Sequence, residues 1–467
     1  MSSKRKVLLV TLSFMLLFVL AFLYLLPSIR FNQYNPVLER SNVYNVKDFV
    51  YRSNGEILNE NELLDTDKVG HHKQIVHIKK FIFERDVSFI YEVIDTTAPI
   101  IDIKENVVYK NPFEEYSISE ISNNISINEG TYEIKTNYNP IYCGTYFVEI
   151  EARDEYDNVS NAFYEVDVVD NEAPIIFTTG NGKRILKGSN FDVNSIIGYG
   201  DNYDKNPSIS IEGKINTNKI GSYILHGSAT DSSNNVKYWD FIVHVVDKIP
   251  KAPDNNYYYP FEKFVEDYKG DNRKFGIDIS EWQDEVDFKA IKDAGCEFVF
   301  MRIGFSHNGV LTLDKEFKRN IKEAKKVNMP VGIYLFCYDN NEADLLKTLD
   351  QMFEELNGEK LELPIVFDWE DFAYFNEYEI NFQDLNRLYD LFEKTVEDKG
   401  YKSMLYSSKF YLDRIWIYTD KARPTWLAQY TDWPSYEGNY EVWQLSDSGK
   451  INGINGHVDF DIMFTND

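Results

Sequence analysis

The chain has 467 residues, 43% hydrophobic and 15% aromatic, with a formal net charge of −27 and three cysteines. That length accommodates several domains, each with its own core. The acidic surplus disfavours nucleic acid and anionic lipid surfaces as partners, and three cysteines cannot build a disulfide framework.

The first element is a membrane-length helix. Met1-Ser2-Ser3-Lys4-Arg5-Lys6 is basic, and Val7–Leu26 is an almost unbroken apolar run without a charge, long enough to cross a bilayer. The basic cluster is expected to hold the N-terminus in the cytoplasm and put everything after Arg30 outside. The apolar run is longer than that of a usual signal peptide and no small-x-small site directly follows it, which favours an uncleaved anchor over a cleaved signal. Residues 1–30 are therefore read as cytoplasmic tip and transmembrane anchor.

Residues 31–247 change texture to short alternating runs rich in Asn, Asp and Thr, with an internal repeat. GTYFVEIEARDEYDNVSNAFYEVDVVD (144–170) aligns without a gap to GSYILHGSATDSSNNVKYWDFIVHVVD (221–247), a shift of 221 − 144 = 77 residues. Each unit opens with an acid, a spacer and Ala-Pro-Ile-Ile, at Asp95–Ile101 and Asp170–Ile176. Strands at this spacing with turn-rich joins predict β-sandwiches of roughly 75 residues. The repeats resemble bacterial immunoglobulin-like surface domains, at 96–170 and 171–247, with a degenerate copy over 31–95. A spacer role is preferred, with cell-envelope protein partners as the alternative. The Asp-rich turns raise the question of calcium, but no EF-hand-like loop is present. Residues 248–274, with Pro and clustered Tyr, read as a linker.

From Phe275 the pattern becomes a march of strand-like runs: FGIDIS (275–280), FVFMRIG (298–304), VGIYLFCY (331–338), PIVFDWE (364–370), MLYSS (404–408), TWLAQY (425–430), YEVWQLS (440–446) and VDFDIMF (458–464). Helical patterns over Phe288–Ala294, Lys315–Val327, Ala343–Leu356 and Asp384–Lys399 separate the early ones, with Gly295, Gly358 and Gly400 as stop signals. The later connections are too short for long helices. The prediction is a (β/α)-barrel with a helix-poor closing half over 275–467, whose strand ends turn acidic at a C-terminal rim carrying Asp278, Asp368, Glu370 and Asp459. In Phe367-Asp368-Trp369-Glu370, alternation puts the two acids on one face and Trp369 on the other. Paired carboxylates resist joint ionisation, so one keeps its proton near neutrality and can act as a general acid. Glycosidic cleavage needs such a group beside a second carboxylate. A solvated D-x-E or a metal site is the bland alternative, and the seven His residues form no ligand cluster.

The string GIDISEWQDEVDFKAIKDAGCEFVFMRIG, followed by the GIYLF run, the DWE, LYSS, TWLAQYT, VWQLSDSG and GHVDFD, resembles the glycoside hydrolase family 25 muramidases over about 190 residues. The resemblance implies cleavage of the β-1,4 bond between N-acetylmuramic acid and N-acetylglucosamine in peptidoglycan. It assigns Glu370 as general acid, Asp368 as its partner carboxylate, acting as nucleophile or orienting a substrate N-acetyl group, and Asp278 and Asp459 as further acids of the cleft. The chain departs from the family at Tyr334-Leu335-Phe336 and at Asp461, an additional acid expected to bear on the pH optimum. A chitinase-type site fits less well, since the positions two and five residues before Asp368 are Val366 and Leu363.

Tyr334, Tyr406, Trp426 and Trp443 lie on strands, where aromatic rings stack against sugars, although half or more of them are expected in the core. Gln429 and Gln444 are placed to hydrogen-bond hydroxyl or acetamido groups, or to cap turns. Arg302 is expected either to hold rim carboxylates ionised or to form a structural salt bridge. Cys296 and Cys337 should lie at opposite ends of the barrel, unpaired. The expected protein is a single-pass, extracytoplasmic peptidoglycan hydrolase for local cell-wall remodelling, with no cofactor, no metal and no nucleic-acid partner. The competing reading is a wall-binding scaffold that recognises glycan without cutting it.

Overall fold

The computed structural model describes residues 3–178, 182–193, 197–250, 258–418 and 423–465. The chain divides into two compact units: Met1–Lys110 with Glu114–Val168, and Asn111–Phe113 with Val169–Asp467.

The first unit begins with a helix over Ser3–Leu25. Its segment Val7–Leu25 is long and apolar enough to cross a membrane. Two β-modules follow. In the first, a four-stranded sheet (Val37–Glu39, Phe83–Ile94, Gly70–Lys80, Glu56–Ile57) is joined by a ladder of Ile29–Phe31 with Val50–Ser53. In the second, the sheet comprises Thr131–Thr136, Gly144–Arg153, Val159–Val168 and Val107–Lys110, with Ile101–Ile103 pairing Ile125–Ile127. Alternation dictates the inward face: Val148, Ile150, Tyr164 and Val166 are buried, and the ladder residues Ile101, Ile103 and Ile125 pack on them.

The second unit opens with a module of the same plan. Its sheet runs Gly182–Leu186, Val236–Val246, Gly221–Thr230, Ser208–Glu212, and Ile175–Thr178 pairs Ile197–Gly200. The repeat is legible down to its turns. The Asp154 and Asp231 carboxylates accept from the Asn158 and Asn235 amides at 2.9 and 2.8 Å. Asp157 and Asn234 take the left-handed conformation, which short polar side chains tolerate.

Eight strands close the barrel: Arg273–Ile279, Phe298–His307, Val331–Cys337, Ile365–Asp368, Ser403–Ser408, Thr425–Ala428, Val442–Lys450 and Val458–Phe464. The first seven are parallel along the wall, and the eighth is antiparallel to both its neighbours, the first and the seventh. This corrects the expectation that each acidic run lies at the end of its strand. Only Ile451–His457 joins the last two strands, too short for the crossover that a parallel pair requires, so the eighth strand turns back and carries its acids at its start. Helices Phe288–Asp293, Phe317–Lys326, Glu342–Leu356 and Phe382–Asp398 cover the early half. Asp287, Asn341 and Asn381 cap the N-termini of three of them through side-chain oxygens. Phe298, Phe300, Val366, Met404, Trp426 and Val442 fill the barrel interior, while a larger apolar cluster lies between strands and helices.

One boundary differs from the sequence reading. Within the expected linker, Phe261–Tyr268 is a helix whose Phe261 and Phe264 are fully buried against Phe460, with Phe264 also against Phe275. The module Ile175–Val246 is packed against the barrel. Phe177 sits among Phe372, Phe375, Phe382 and Tyr411 at ring separations of 5.6 to 6.2 Å. At Gly198 an added Cβ would lie 2.4 Å from the Phe372 carbonyl oxygen, and at Gly200 2.4 Å from the Phe375 ring, so glycine is what permits this approach.

Candidate active site

The rim acids arise from strand geometry. Asp278 is next to last in the first strand, Asp368 ends the fourth, and the turned-back eighth strand places Asp459 directly opposite Asp278. Asp368 is in register with Phe336 on one side and Tyr406 on the other. Trp369 faces away, fully buried against Phe372, Phe375 and Tyr378, as alternation requires. The structure thus brings Asp278, Asp368, Glu370 and Asp459 together, and their mutual repulsion is felt in each titration except that of Glu370, where burial dominates.

Gln444, on the seventh strand, organises this mouth. Its Nε2 donates to Asp278 Oδ2 at 2.9 Å and to Asp459 Oδ2 at 3.4 Å, while its Oε1 accepts from the hydroxyls of Tyr406 and Tyr430, each at 2.9 Å. Its hydrogen-bonding capacity is taken up by protein, so it positions carboxylates rather than offering itself to a ligand. Gln429 is likewise engaged: Nε2 donates to Ser435 Oγ at 2.9 Å and Oε1 accepts from Ser435 N at 3.0 Å, a turn-holding role.

Burial raises the Asp368 carboxyl well above its ordinary range, and the neighbouring Glu370 and Asp278 charges add to this while Arg302 opposes it. Its Oδ1 has no hydrogen-bond partner among the described residues. Glu370 projects to the rim, where water reaches it, yet enough protein surrounds it that desolvation raises its carboxyl to about 7. Asp459 is pushed to about 9 by burial and by Asp278, Asp447 and Glu370. Asp278 is raised by burial and by Asp461, which hydrogen-bonds to it.

Arg302 is tied elsewhere. It donates to Asp314 Oδ2 at 3.0 Å and to Glu281 Oε1 at 2.9 Å, so its ion pairs are with these two acids, while its charge is still felt at Asp368. The sugar-platform expectation is corrected for Trp426 and Trp443, which are 2% and 0% exposed and have no ring face open to a ligand. Trp426 sits in the barrel interior, stacked on Phe300 and donating to Asp461 Oδ1 at 2.9 Å. Trp443 packs outward against Tyr268 and donates to the Gln429 carbonyl at 2.8 Å. Tyr406 is also buried, while Tyr334 is partly exposed with its hydroxyl in the field of Asp278 and Asp368. Sequence reasoning passed over Tyr430, 52% exposed, and Trp282, 78% exposed on the turn after the first strand. Their position just past strand ends was the available signal. Cys296 and Cys337 are buried thiols with no disulfide between them.

Residues 277–454 match the family model described as Glycosyl hydrolases family 25. An autolytic lysozyme of Clostridium acetobutylicum is 28% identical over 40% of this chain and 54% of its own length. The uncharacterized protein YegX of Escherichia coli K12 is 26% identical over 44% of this chain and 75% of its own. The chain thus spans about half the length of the lysozyme it matches. Among solved structures, the modular autolysin LytC of Streptococcus pneumoniae, in complex with a synthetic peptidoglycan ligand, shares 24% identity over 51% of this chain and 56% of that one, with a TM-score of 0.38. The barrel of this chain matches the glycosyl hydrolase family 25 model over most of its length, and its acid-lined mouth is the candidate active site.

Proposed function

We propose that the chain is a membrane-anchored, extracytoplasmic muramidase that cuts the β-1,4 bond between N-acetylmuramic acid and N-acetylglucosamine during local cell-wall remodelling. The observation that carries this reading is the pairing of a rim carboxyl titrating near 7, Glu370, with the buried acid Asp368 two residues before it on the same strand end. A carboxyl that keeps its proton at working pH can donate it to the leaving glycosidic oxygen. Asp368, with an unpartnered Oδ1, faces the cationic centre that develops or accepts from the substrate acetamido group. Asp278 and Asp459, bridged by Gln444, hold the surrounding field. Tyr334 and Tyr430 supply polar and ring contacts to the sugar.

The match to the family 25 model and to the autolytic lysozyme supports the reaction class. The apolar segment Val7–Leu25 supports attachment to a membrane, and the β-modules, read as immunoglobulin-like repeats, support a surface location with the enzyme tethered. The remodelling role rests on that tether, since a hydrolase fixed to its own membrane acts within reach of it.

The test is incubation of the full chain, in detergent micelles, with purified peptidoglycan, beside its Glu370→Gln variant. Released ends are identified by mass spectrometry after borohydride reduction. Reduced N-acetylmuramic ends from the wild type alone are expected. Reduced N-acetylglucosamine ends would reassign the bond, and intact glycan that retains the protein would favour a binding scaffold.

A further inference from the structure

The module packed on the barrel contains three buried carboxylates that form no ion pair with a Lys or Arg among the described residues. Asp170, Asp201 and Asp231 are 3%, 0% and 5% exposed, and each presents an oxygen such that all three lie within 4.8 Å of one another. They come from separate places in the chain: the module's first residue, the end of its second ladder strand, and the turn of its long hairpin. Like charges do not gather in a protein interior without compensation.

The local hydrogen bonds leave the cluster incomplete. Asp170 Oδ1 accepts from Asn202 Nδ2 at 2.9 Å and from Glu172 N at 3.2 Å. Asp201 Oδ1 accepts from the amides of Tyr203 and Asp204 at 2.9 and 2.7 Å. Asp231 accepts from the Asn235 amide and side chain at 2.8 and 2.9 Å. Asp170 Oδ2, Asp201 Oδ2 and Asn202 Oδ1 are buried without a close partner among the described residues, with the Ser233 hydroxyl also bonding toward the Asp170 carboxyl. Asn202 is 7% exposed, and its Nδ2 contact with Asp170 fixes its amide at the cluster. An orphaned neutral oxygen among orphaned carboxylate oxygens wants a positive charge rather than a proton donor.

The preceding module shows how the same cage is satisfied. Ile101 corresponds to Ile176 in the Ala-Pro-Ile-Ile run, and these pair with Ile127 and Tyr199. Two residues on are Glu129 and Asp201. Asp95 corresponds to Asp170, and Asp154 to Asp231, with Asn158 and Asn235 each donating to the main-chain carbonyl of the module's first acid, at 3.1 and 3.0 Å. In that earlier cage a guanidinium fills the centre. Arg40 Nη1 lies 2.8 Å from Asp95 Oδ2 and 3.2 Å from Glu129 Oε2. Although burial opposes it, Asn158, the Tyr156 amide and the Arg40 charge leave Asp154 below its ordinary value.

The later cage lacks that cation by sequence. Glu39 pairs Ile94 in the first module, an offset of 94 − 39 = 55 that puts Arg40 beside Asp95. Lys110 pairs Val168 in the next, an offset of 168 − 110 = 58 that puts Pro112 at the place beside Asp170.

We infer that Asp170, Asp201, Asp231 and the Asn202 side-chain oxygen form a calcium site, in which the metal takes the place that the Arg40 guanidinium holds in the preceding module. Hard oxygen donors with a large negative charge select calcium or magnesium over softer metals. Calcium accepts an irregular set of carboxylate and amide oxygens gathered in one space, whereas magnesium demands a near-ideal octahedron and keeps several waters. The site also bears on the barrel seam. The Asp201 carbonyl accepts from Phe382 N at 2.8 Å, the Tyr203 carbonyl accepts from Asn381 Nδ2 at 2.7 Å, and Lys205 pairs with Asp384 at 2.6 Å. Filling the cage fixes the backbone that makes these contacts.

The full chain, stripped with chelator, is titrated with calcium by calorimetry and followed by thermal unfolding, with magnesium in parallel. One calcium per chain and a Tm raised by several degrees are expected. Asp201→Asn and Asp231→Asn should each weaken binding at least tenfold, while Asp95→Asn in the Arg40 cage leaves it unchanged. Terbium bound at the site should show tyrosine-sensitised emission through Tyr203, displaced by calcium, a readout on the wild type that survives any variant that fails to fold. No calcium heat, no Tm shift and no displaceable terbium emission at millimolar calcium would overturn the site, as would binding undiminished in both variants.

Discussion

Asp461 and Asp278 are hydrogen-bonded carboxyls inside the barrel. Asp461 is fully buried, and its Oδ1 accepts from Trp426 Nε1 at 2.9 Å. The pair exists because the eighth strand runs backwards. That register sets Asp459 opposite Asp278 and Asp461 opposite Gly276, where an added Cβ would lie 2.5 Å from the Phe298 ring. Two carboxylates in contact cannot both ionise, so the pair carries a proton at neutral pH.

Asp461→Asn should therefore flatten the pH dependence of stability. Burial raises both folded-state values, so the native state binds more protons than the unfolded chain between the ordinary carboxyl range and the raised values. The stability due to this proton is full below about pH 4 and is lost as pH rises through the raised values. With one acid replaced by a neutral amide, the wild-type decline in Tm from pH 5 towards alkaline pH should shrink. An unchanged slope in thermal scans would show that the pair does not hold the proton.

Activity should fall as Glu370 loses its proton. Its carboxyl titrates at about 7, so hydrolysis is expected to decline above that value with a single proton lost. Glu370→Gln should reduce kcat by about 10²- to 10⁴-fold, the range for loss of a general acid, with little change in Tm because the side chain reaches water at the rim. A pH profile whose alkaline limb persists in a residually active Glu370→Gln chain would assign that limb to another group, Asp459 first.

The rim was legible in the sequence because alternation leaves little freedom: in Asp368-Trp369-Glu370, any strand puts the acids on one face and Trp369 on the other. The four barrel helices were legible for a similar reason, since Asn341 and Asn381 cap through side chains and Gly295 and Gly400 take positive φ at the stops. The reversal of the last strand was not legible, because an acidic, alternating run reads the same in both directions. Which of the four aromatics Tyr334, Tyr406, Trp426 and Trp443 would be buried was not legible, because strand periodicity says that two residues face differently, not which face meets protein. Nor does a local pattern tell that Gly198 and Gly200 are small to let a distant loop approach.

Gln444→Leu should damage stability and catalysis together. The amide receives two tyrosine hydroxyls and donates to two carboxylates. Leucine would leave the buried Tyr406 hydroxyl without this acceptor and Asp278 without this donor, at about 1–3 kcal/mol for each buried group left unsatisfied. Gln444→Glu keeps the shape and the acceptor for Tyr406 but adds a carboxyl to an acidic mouth. It should fold better than the leucine variant at pH 5 and worse at pH 8, as read by Tm. Equal behaviour at both pH values would mean that the acids there are already charged.

The seam between the last β-module and the barrel should be needed for activity as well as stability. Phe372 and Phe375 follow Glu370 directly in the chain, and Gly198 and Gly200 press on that segment, which also receives the Phe177 ring. Gly200→Val places methyl groups where Phe375 and Phe382 already lie, since even a bare Cβ would come within 2.4 to 2.7 Å of those rings. The ring cluster must shift, at about 1–3 kcal/mol for overpacking, and the displaced segment carries Glu370 with it. The expected outcome is a lower Tm and a several-fold loss of kcat with KM less affected, because the proton donor moves relative to Asp368. Gly221→Ala in the same module is the control: its added Cβ meets nothing nearer than 3.8 Å, so both Tm and kcat should stay near wild type. Loss of stability in Gly200→Val with kcat intact would show that the module only braces the fold and leaves the position of Glu370 unaltered.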